Sequence, residues 1–209
     1  MSTDDTMQAR GLGVFADYVN SVGSGRMKII EDQWKRFNDP DSGAKQAYGP
    51  ALAGLRHAVR SGDDLELRRM IFRASRTMVR SYEELAAGMQ GFLARSRPEW
   101  VSTNNATWTW ATLPINVNQH VGMRLSGVET VVHLYLKQTP LTAQGATKVI
   151  WRTLQLTVDQ TRPHAAVAVL DVRRGKLWKP TPIKKIRALD AWIESEALGY
   201  IEHWRRSAA

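Results

Sequence analysis

The sequence predicts an α+β fold: a helical N-terminal half followed by a mixed β-sheet with flanking helices. Three observations carry this. Up to Pro98 the apolar residues recur every three or four positions, the period of a helix face. Beyond Pro98 the pattern changes to alternation and to runs rich in β-branched residues, as strands require. Two long amphipathic stretches, Thr142 to Val158 and Ile186 to Trp204, interrupt and close the strand region. The boundary divides the chain into a helical domain, 1–98, and a sheet-containing basic domain, 99–209. With 209 residues, 43% of them hydrophobic and 23% charged, the chain has the material for a real core.

The helices follow in order. Leu12 to Val22 places Leu12, Phe15, Val19 and Val22 at helical spacing, and Gly23-Ser24-Gly25 ends it. Arg26 to Phe37 aligns Ile29, Ile30, Trp34 and Phe37, and Asn38 to Gly43 is a loop. Gln46 to Val59 carries the stripe Leu52, Leu55, Val59. The next helix starts at Asp63 or Asp64, whose carboxylate suits a helix N-terminus, and runs to about Met78 or beyond. Tyr82 to Ala94 aligns Tyr82, Leu85, Met89 and Phe92. Pro98 stops it, because proline has no N–H to donate and restricts the residue before it.

Strands come next. Thr107-Trp108-Thr109-Trp110 alternates with period 2. Ile115 to Leu125 reads as one strand bent near Gly122, and Ser126-Gly127 as a turn. Val128 to Lys137 is a long β-rich run, with Glu129, His133, Tyr135 and Lys137 sharing a face. Thr142 to Val158 is a helix with Val149, Ile150 and Leu154 inward. Ala165 to Val172 is apolar on both faces, as a central strand must be. Arg174-Gly175 turns into a short return strand, Lys176 to Trp178. Ile186 to Trp204 closes the chain with Leu189, Trp192, Ile193, Tyr200 and Trp204 aligned.

Charge is distributed unevenly. Of the net +9, Met1 to Trp100 contributes +2 and Val101 to Ala209 contributes +7. Between Arg124 and Arg187 there are 12 basic residues and three acidic ones, Glu129, Asp159 and Asp171. A one-signed field attracts a polyanion before any specific contact forms. Two sets of residues can exploit it. Arg69, Arg73, Arg76 and Arg80, spaced 4, 3 and 4, line one face of the predicted fourth helix. In the second half, Lys148 and Arg152 lie one helical turn apart. Arg173, Arg174, Lys176 and Lys179 surround the predicted hairpin, and Lys184 and Lys185 precede the last helix. Trp178 interleaves with these charges, placed to stack on a base or to pack into the core.

Two strands leading to Lys137, then a helix, then a buried strand form an order of elements that resembles the core of the PD-(D/E)XK nuclease superfamily. In that family the second strand carries an Asp and the third carries (Asp/Glu)-x-Lys. The carboxylates hold magnesium, and the lysine positions or activates the attacking water. Lys137 matches the motif lysine, but Tyr135 stands where the acid belongs, and Met123 to Ser126 contains no acid. The resemblance therefore implies a degenerate core. A rearranged site would have to pair Glu129 with Asp171 beside Lys137, and magnesium is expected only in that case, since it needs carboxylate ligands. As a whole the chain resembles bacterial proteins with a helical front half and a sheet-bearing back half, and Arg outnumbering Lys by 20 to 9 fits that origin.

Other chemistry lacks its motif. There is no Cys, hence no disulfide, thiolate nucleophile or Cys-ligated metal. His57, His120, His133, His164 and His203 include no HExxH, and no phosphate-binding glycine loop or GxSxG elbow occurs. Met1 to Met7 is polar and acidic, unlike a secretory signal, and no apolar run reaches 18 residues. The expectation is a cytoplasmic, non-catalytic protein without a cofactor or membrane association. It would bind nucleic acid, DNA foremost, or another polyanion through the basic C-terminal surface. The alternatives are a metal-dependent nuclease-like enzyme and a module that docks an acidic protein. The helical half is a candidate unit for homo-oligomer formation.

Overall fold

The computed structural model describes residues 8–38, 48–142, 144–182 and 184–208. In chain order the elements are β1 (Arg10–Gly11), α1 (Leu12–Asn20), α2 (Ser24–Asn38), α3 (Gly49–Ser61), α4 (Leu65–Phe72) and α5 (Val79–Ser96). Then follow β2 (Glu99–Val101), β3 (Ala106–Trp110), β4 (Leu113–Val117), β5 (His120–Leu125) and β6 (Val128–Tyr135). Helix α6 (Ala146–Thr161), β7 (Ala166–Asp171), a 3-10 turn (Val172–Arg174), β8 (Lys176–Trp178) and α7 (Ile186–Ala208) complete it. The fold is α+β, and both of its sheets are mixed. No helix among the described residues is long and apolar enough to cross a membrane.

The larger sheet runs in the order β2-β5-β6-β7-β8. Its pairs are antiparallel except β6 with β7, which α6 joins as a parallel crossover. That pair is apolar on both faces because both faces are covered. On one face Val131, Val167 and Val169 pack with Leu12, Phe15, Ile115, Ile150 and Tyr200. On the other, Val132, Leu134, Ala168 and Leu170 pack with Leu55, Leu85, Met89 and Phe92. Each cluster thus draws residues from both sides of Pro98. Each fully buried Leu, Ile, Val or Phe contributes about 2 kcal/mol of transfer free energy, enough to fix the register of this pair.

The smaller sheet, β1-β4-β3, lies over the first cluster. Across α1, α2 and α7 an aromatic group binds the helices together. Tyr18 meets Tyr200 edge to face at 5.0 Å, and Trp34 meets Trp204 at 5.2 Å. Tyr18 Oη and His203 Nδ1 are hydrogen-bonded at 2.9 Å, and Arg26 pairs with Glu196 at 2.8 Å.

Several elements differ from the sequence reading. Ile115 to Leu125 is two strands, β4 and β5, which belong to different sheets; the chain breaks at Asn118-Gln119, not at Gly122. Gly122 lies within β5, where a Cβ would stand 2.3 Å from the Val101 carbonyl oxygen. The helix expected to reach Met78 ends at Phe72, and the chain turns before α5. Asp64 occupies the N-cap of α4 but makes no capping bond; Asp63 Oδ1 accepts the Leu65 N–H at 2.9 Å instead. Strands β1 and β2 are short additions to the sheet edges. The expected loop beyond Asn38, the helix start at Gln46 and the stretch Met1 to Met7 lie outside the described residues.

Helix α5 crosses the 3-10 turn at Gly88 with no room for a side chain. A Cβ there would stand 1.9 Å from the Val172 carbonyl oxygen and 2.6 Å from that of Arg173. Backbone must shift to admit it, so Gly88→Ala is expected to cost at least about 2 kcal/mol. At Gly91, on the same helix, a Cβ meets only a side chain, the Arg95 guanidinium at 3.2 Å, which can give way by a small shift while keeping its bond to the Gly175 carbonyl. Gly91→Ala is therefore expected to be neutral or stabilising by up to about 1 kcal/mol through helix propensity. Urea unfolding of the two variants measures the difference; equal midpoints would show that the crossing is not tight.

Candidate functional site

The basic residues separate into those the fold uses and those it leaves to solvent. Arg152 donates two parallel bonds to the Asp190 carboxylate, at 2.6 and 2.8 Å, and so ties α6 to α7. Arg173 has a side chain only 4% exposed. It donates to the Leu136 carbonyl at 2.9 Å and to Ser81 Oγ at 2.6 Å, and it pairs with Glu84. Arg174 holds the buried Asp171 carboxylate at 3.1 Å and donates to the Gln138 carbonyl. These three arginines are committed within the molecule.

The single-face arginine stripe does not form. Arg69 lies in α4, Arg73 caps it, Arg76 sits in the turn that follows, and Arg80 is in α5. The break at Phe72 scatters what continuous helical spacing would have aligned. Arg69 pairs with Glu66 at 2.5 Å and Arg80 with Glu84 at 3.4 Å, while all four remain exposed.

Lys148, Lys176, Lys179, Lys184 and Lys185 remain, with Arg187 beside them. All are exposed, and none has an ion-pair partner among the described residues. From Val172 to Leu189 the chain carries seven cations and no acid. Helices α6 and α7 both begin at one shallow cleft, to which the first contributes Gln144, Gly145 and Lys148 and the second Lys185, Ala188 and Leu189. Neither helix has an acid in its first turn. Two positive helix ends and two lysines therefore meet with no compensating carboxylate. Trp178, half-buried against the first cluster, lies 4.2 Å from Lys176 Nζ, and its carbonyl accepts the Trp151 indole N–H.

The residues expected of a rearranged nuclease site do not converge. Register sets Tyr135 opposite Asp171 and Thr130 opposite Ala166, so Glu129 lies at the far end of β6, about 20 Å from Asp171 at the usual rise of a strand. Arg162, at 2.7 Å, and Arg124, at 3.0 Å, hold the Glu129 carboxyl down at about 2. Asp171 is buried, where it accepts the Leu141 N–H at 3.2 Å as well as Arg174. Among the described residues no three His, Asp or Glu side chains group as a metal site requires.

Lys137 instead meets an acid that the sequence reading did not single out: its Nζ lies 2.6 Å from Asp17 Oδ2. The pair sits in a cleft of about 290 Å3 at the carboxyl end of β6, walled by Val14, Leu52 and Ile150 among others. Burial pushes the Asp17 carboxyl up, and Lys137 opposes this. Tyr135 donates to the Thr139 carbonyl at 3.0 Å; burial, with Asp17 and Asp171 nearby, pushes its phenol up to about 12. His133, 1% exposed, also lines the cleft. Nothing local in the sequence marks Asp17, because α1 reaches β6 only through the fold.

No family model matches this chain, and no curated protein matches it.

His133 lies directly opposite His120 across β5 and β6. His120 Nε2 bonds the Asn104 carbonyl at 3.0 Å and therefore carries the ring proton. Burial first, then neighbouring positive groups, push His120 down to about 4 and His133 to about 3. Both values lie below that of an unfolded histidine, near 6.5. The unfolded chain thus takes up protons first as pH falls, so this stability is complete above about pH 6.5 and is lost below it. Between pH 7 and 5 the expected loss is about 2 kcal/mol per histidine. Urea unfolding at the two pH values checks it. His133→Phe is expected to halve the drop, and an unchanged drop would assign it to other groups.

Proposed function

We propose that the protein binds nucleic acid through its phosphate backbone, at the lysine-lined cleft where α6 and α7 begin. The meeting of these two helix N-termini with Lys148 and Lys185 carries the reading. Cations at a positive helix end are unfavourable by about 0.3–1 kcal/mol each, and a phosphate placed there reverses the sign of every one of those terms. Lys184 and Arg187 flank the cleft, and Lys176 and Lys179 extend the positive surface along β8. Lysines and helix N-termini point to phosphate as the main contact, and Trp192, partly exposed at the cleft, is the aromatic side chain placed to meet a base or sugar. The committed arginines, Arg152, Arg173 and Arg174, have no part in it.

Five or six phosphate contacts imply a log–log salt slope near −5 on duplex DNA and a loss of about 10³-fold in affinity between 50 and 200 mM salt. Fluorescence anisotropy with labelled single- and double-stranded DNA and RNA measures this. Replacing Lys148 and Lys185 together by Ala is expected to make the slope shallower by about two, nearly equally for all sequences. Replacing Arg76 by Ala is expected to change little. Absence of binding at low salt would overturn the reading and leave an acidic protein as the partner of these charges.

A further inference from the structure

The cleft at the carboxyl end of β6 is distinct from the lysine-lined one and has a different character. His133 and Tyr135, alternate residues of β6, line it together with Leu136 and Lys137 just beyond the strand. Its walls are mostly apolar, as in small-molecule sites. His133 is buried, its Nδ1 is fully enclosed, and its side chain makes no hydrogen bond among the described residues. The enclosed ring thus contributes packing surface beside the cleft, and its nitrogens sense changes there. Lys137 keeps N–H donors to spare after meeting Asp17. Arg36, at the rim, has no ion-pair partner among the described residues. Among the described residues lining it, two cations against one carboxylate leave the cleft with a net positive charge beside apolar walls.

We propose that this cleft binds a small organic acid, an apolar body bearing one carboxylate, with the carboxylate at Lys137 and Arg36 and the body against the apolar walls near His133. A neutral molecule leaves the excess charge uncompensated, and a doubly charged ligand would overshoot it. The apolar walls hold the body, while Lys137, half exposed, meets the carboxylate at the mouth. Asp17 holds Lys137 in place and repels the carboxylate, so it limits affinity. This gives the site a distinctive signature: removing the lysine weakens binding and removing the aspartate tightens it.

The test uses the full chain labelled with 15N-histidine, titrated with hexanoate, phenylacetate and 3-phenylpropionate and with the amide of each. At least one acid is expected to saturate near or below about 1 mM, as ligands of this size can, and to move the His133 ring nitrogens. Its amide should bind about tenfold more weakly. Lys137→Met should weaken the acid about tenfold, and Asp17→Asn should tighten it about threefold. Either no saturation by any of the acids at 10 mM or equal binding of acid and amide would overturn the proposal. An unchanged affinity in Lys137→Met would do the same. The comparison of acid with amide decides the matter on the unaltered chain even if a variant fails to fold. The Lys148 and Lys185 double replacement should leave acid binding unchanged, which keeps this site separate from the phosphate-binding one.

Discussion

The parallel pairing of β6 with β7 is the constraint on which the rest of the structure depends. Two parallel neighbours need a crossover, and α6 supplies it. The pair then presents apolar side chains to both sides, so both sides must be covered. Helices α3, α4 and α5 cover one, and α1, α6, α7 and the small sheet cover the other. The crossover also fixes polarity. Because α6 returns antiparallel to the strands, its first turn stands at their carboxyl end. There Lys148 reaches one cleft and Ile150 the other. Both candidate sites thus lie at the end of the sheet where open α/β structures generally bind ligands.

A second requirement follows from burying polar groups near that end. Asp171 closes β7 in the interior, and an isolated carboxylate there would be unstable. Arg174 and the Leu141 N–H supply its partners. Arg173, next along the chain, is equally enclosed and binds α5 and the end of β6 at once. The neighbouring arginines of the 3-10 turn therefore hold the junction between sheet and helices. The cations that remain for solvent are those further along, where the chain has no acids.

The sequence made the large periodic elements legible: the β-rich run to Lys137, the doubly apolar Ala165 to Val172 and the amphipathic last helix all form close to where they were expected. Elements defined by a partner were not. Strands β1 and β2 have two and three residues, too few to show a period, and exist because β4 and β5 lie beside them. The break at Asn118-Gln119 separates two stretches that both alternate, so only their assignment to different sheets reveals it. Helix α4 stops although Arg73 and Ala74 are good helix formers, because α5 must fold back for Tyr82 and Leu85 to reach the second cluster. The same distinction governs the sites. Counting cations gave the excess of positive charge, but only packing shows that Arg152 faces Asp190 and that Lys137 faces Asp17.

Strand β8 is the outer strand of the large sheet, and an outer strand offers unpaired backbone groups to any similar strand. Here it is three residues long, carries exposed Lys176, is followed by exposed Lys179 and then meets Pro180 and Pro182. Like charges oppose pairing with a second copy along this edge, and the prolines, which have no N–H to donate, limit how far such a pairing could lengthen. The opposite edge, β2, is also three residues long and has Arg60 lying over Trp100 at 5.0 Å. A polyanion that neutralises Lys176 and Lys179 removes the electrostatic half of this protection and leaves the prolines alone to prevent sheets of neighbouring molecules from joining edge to edge.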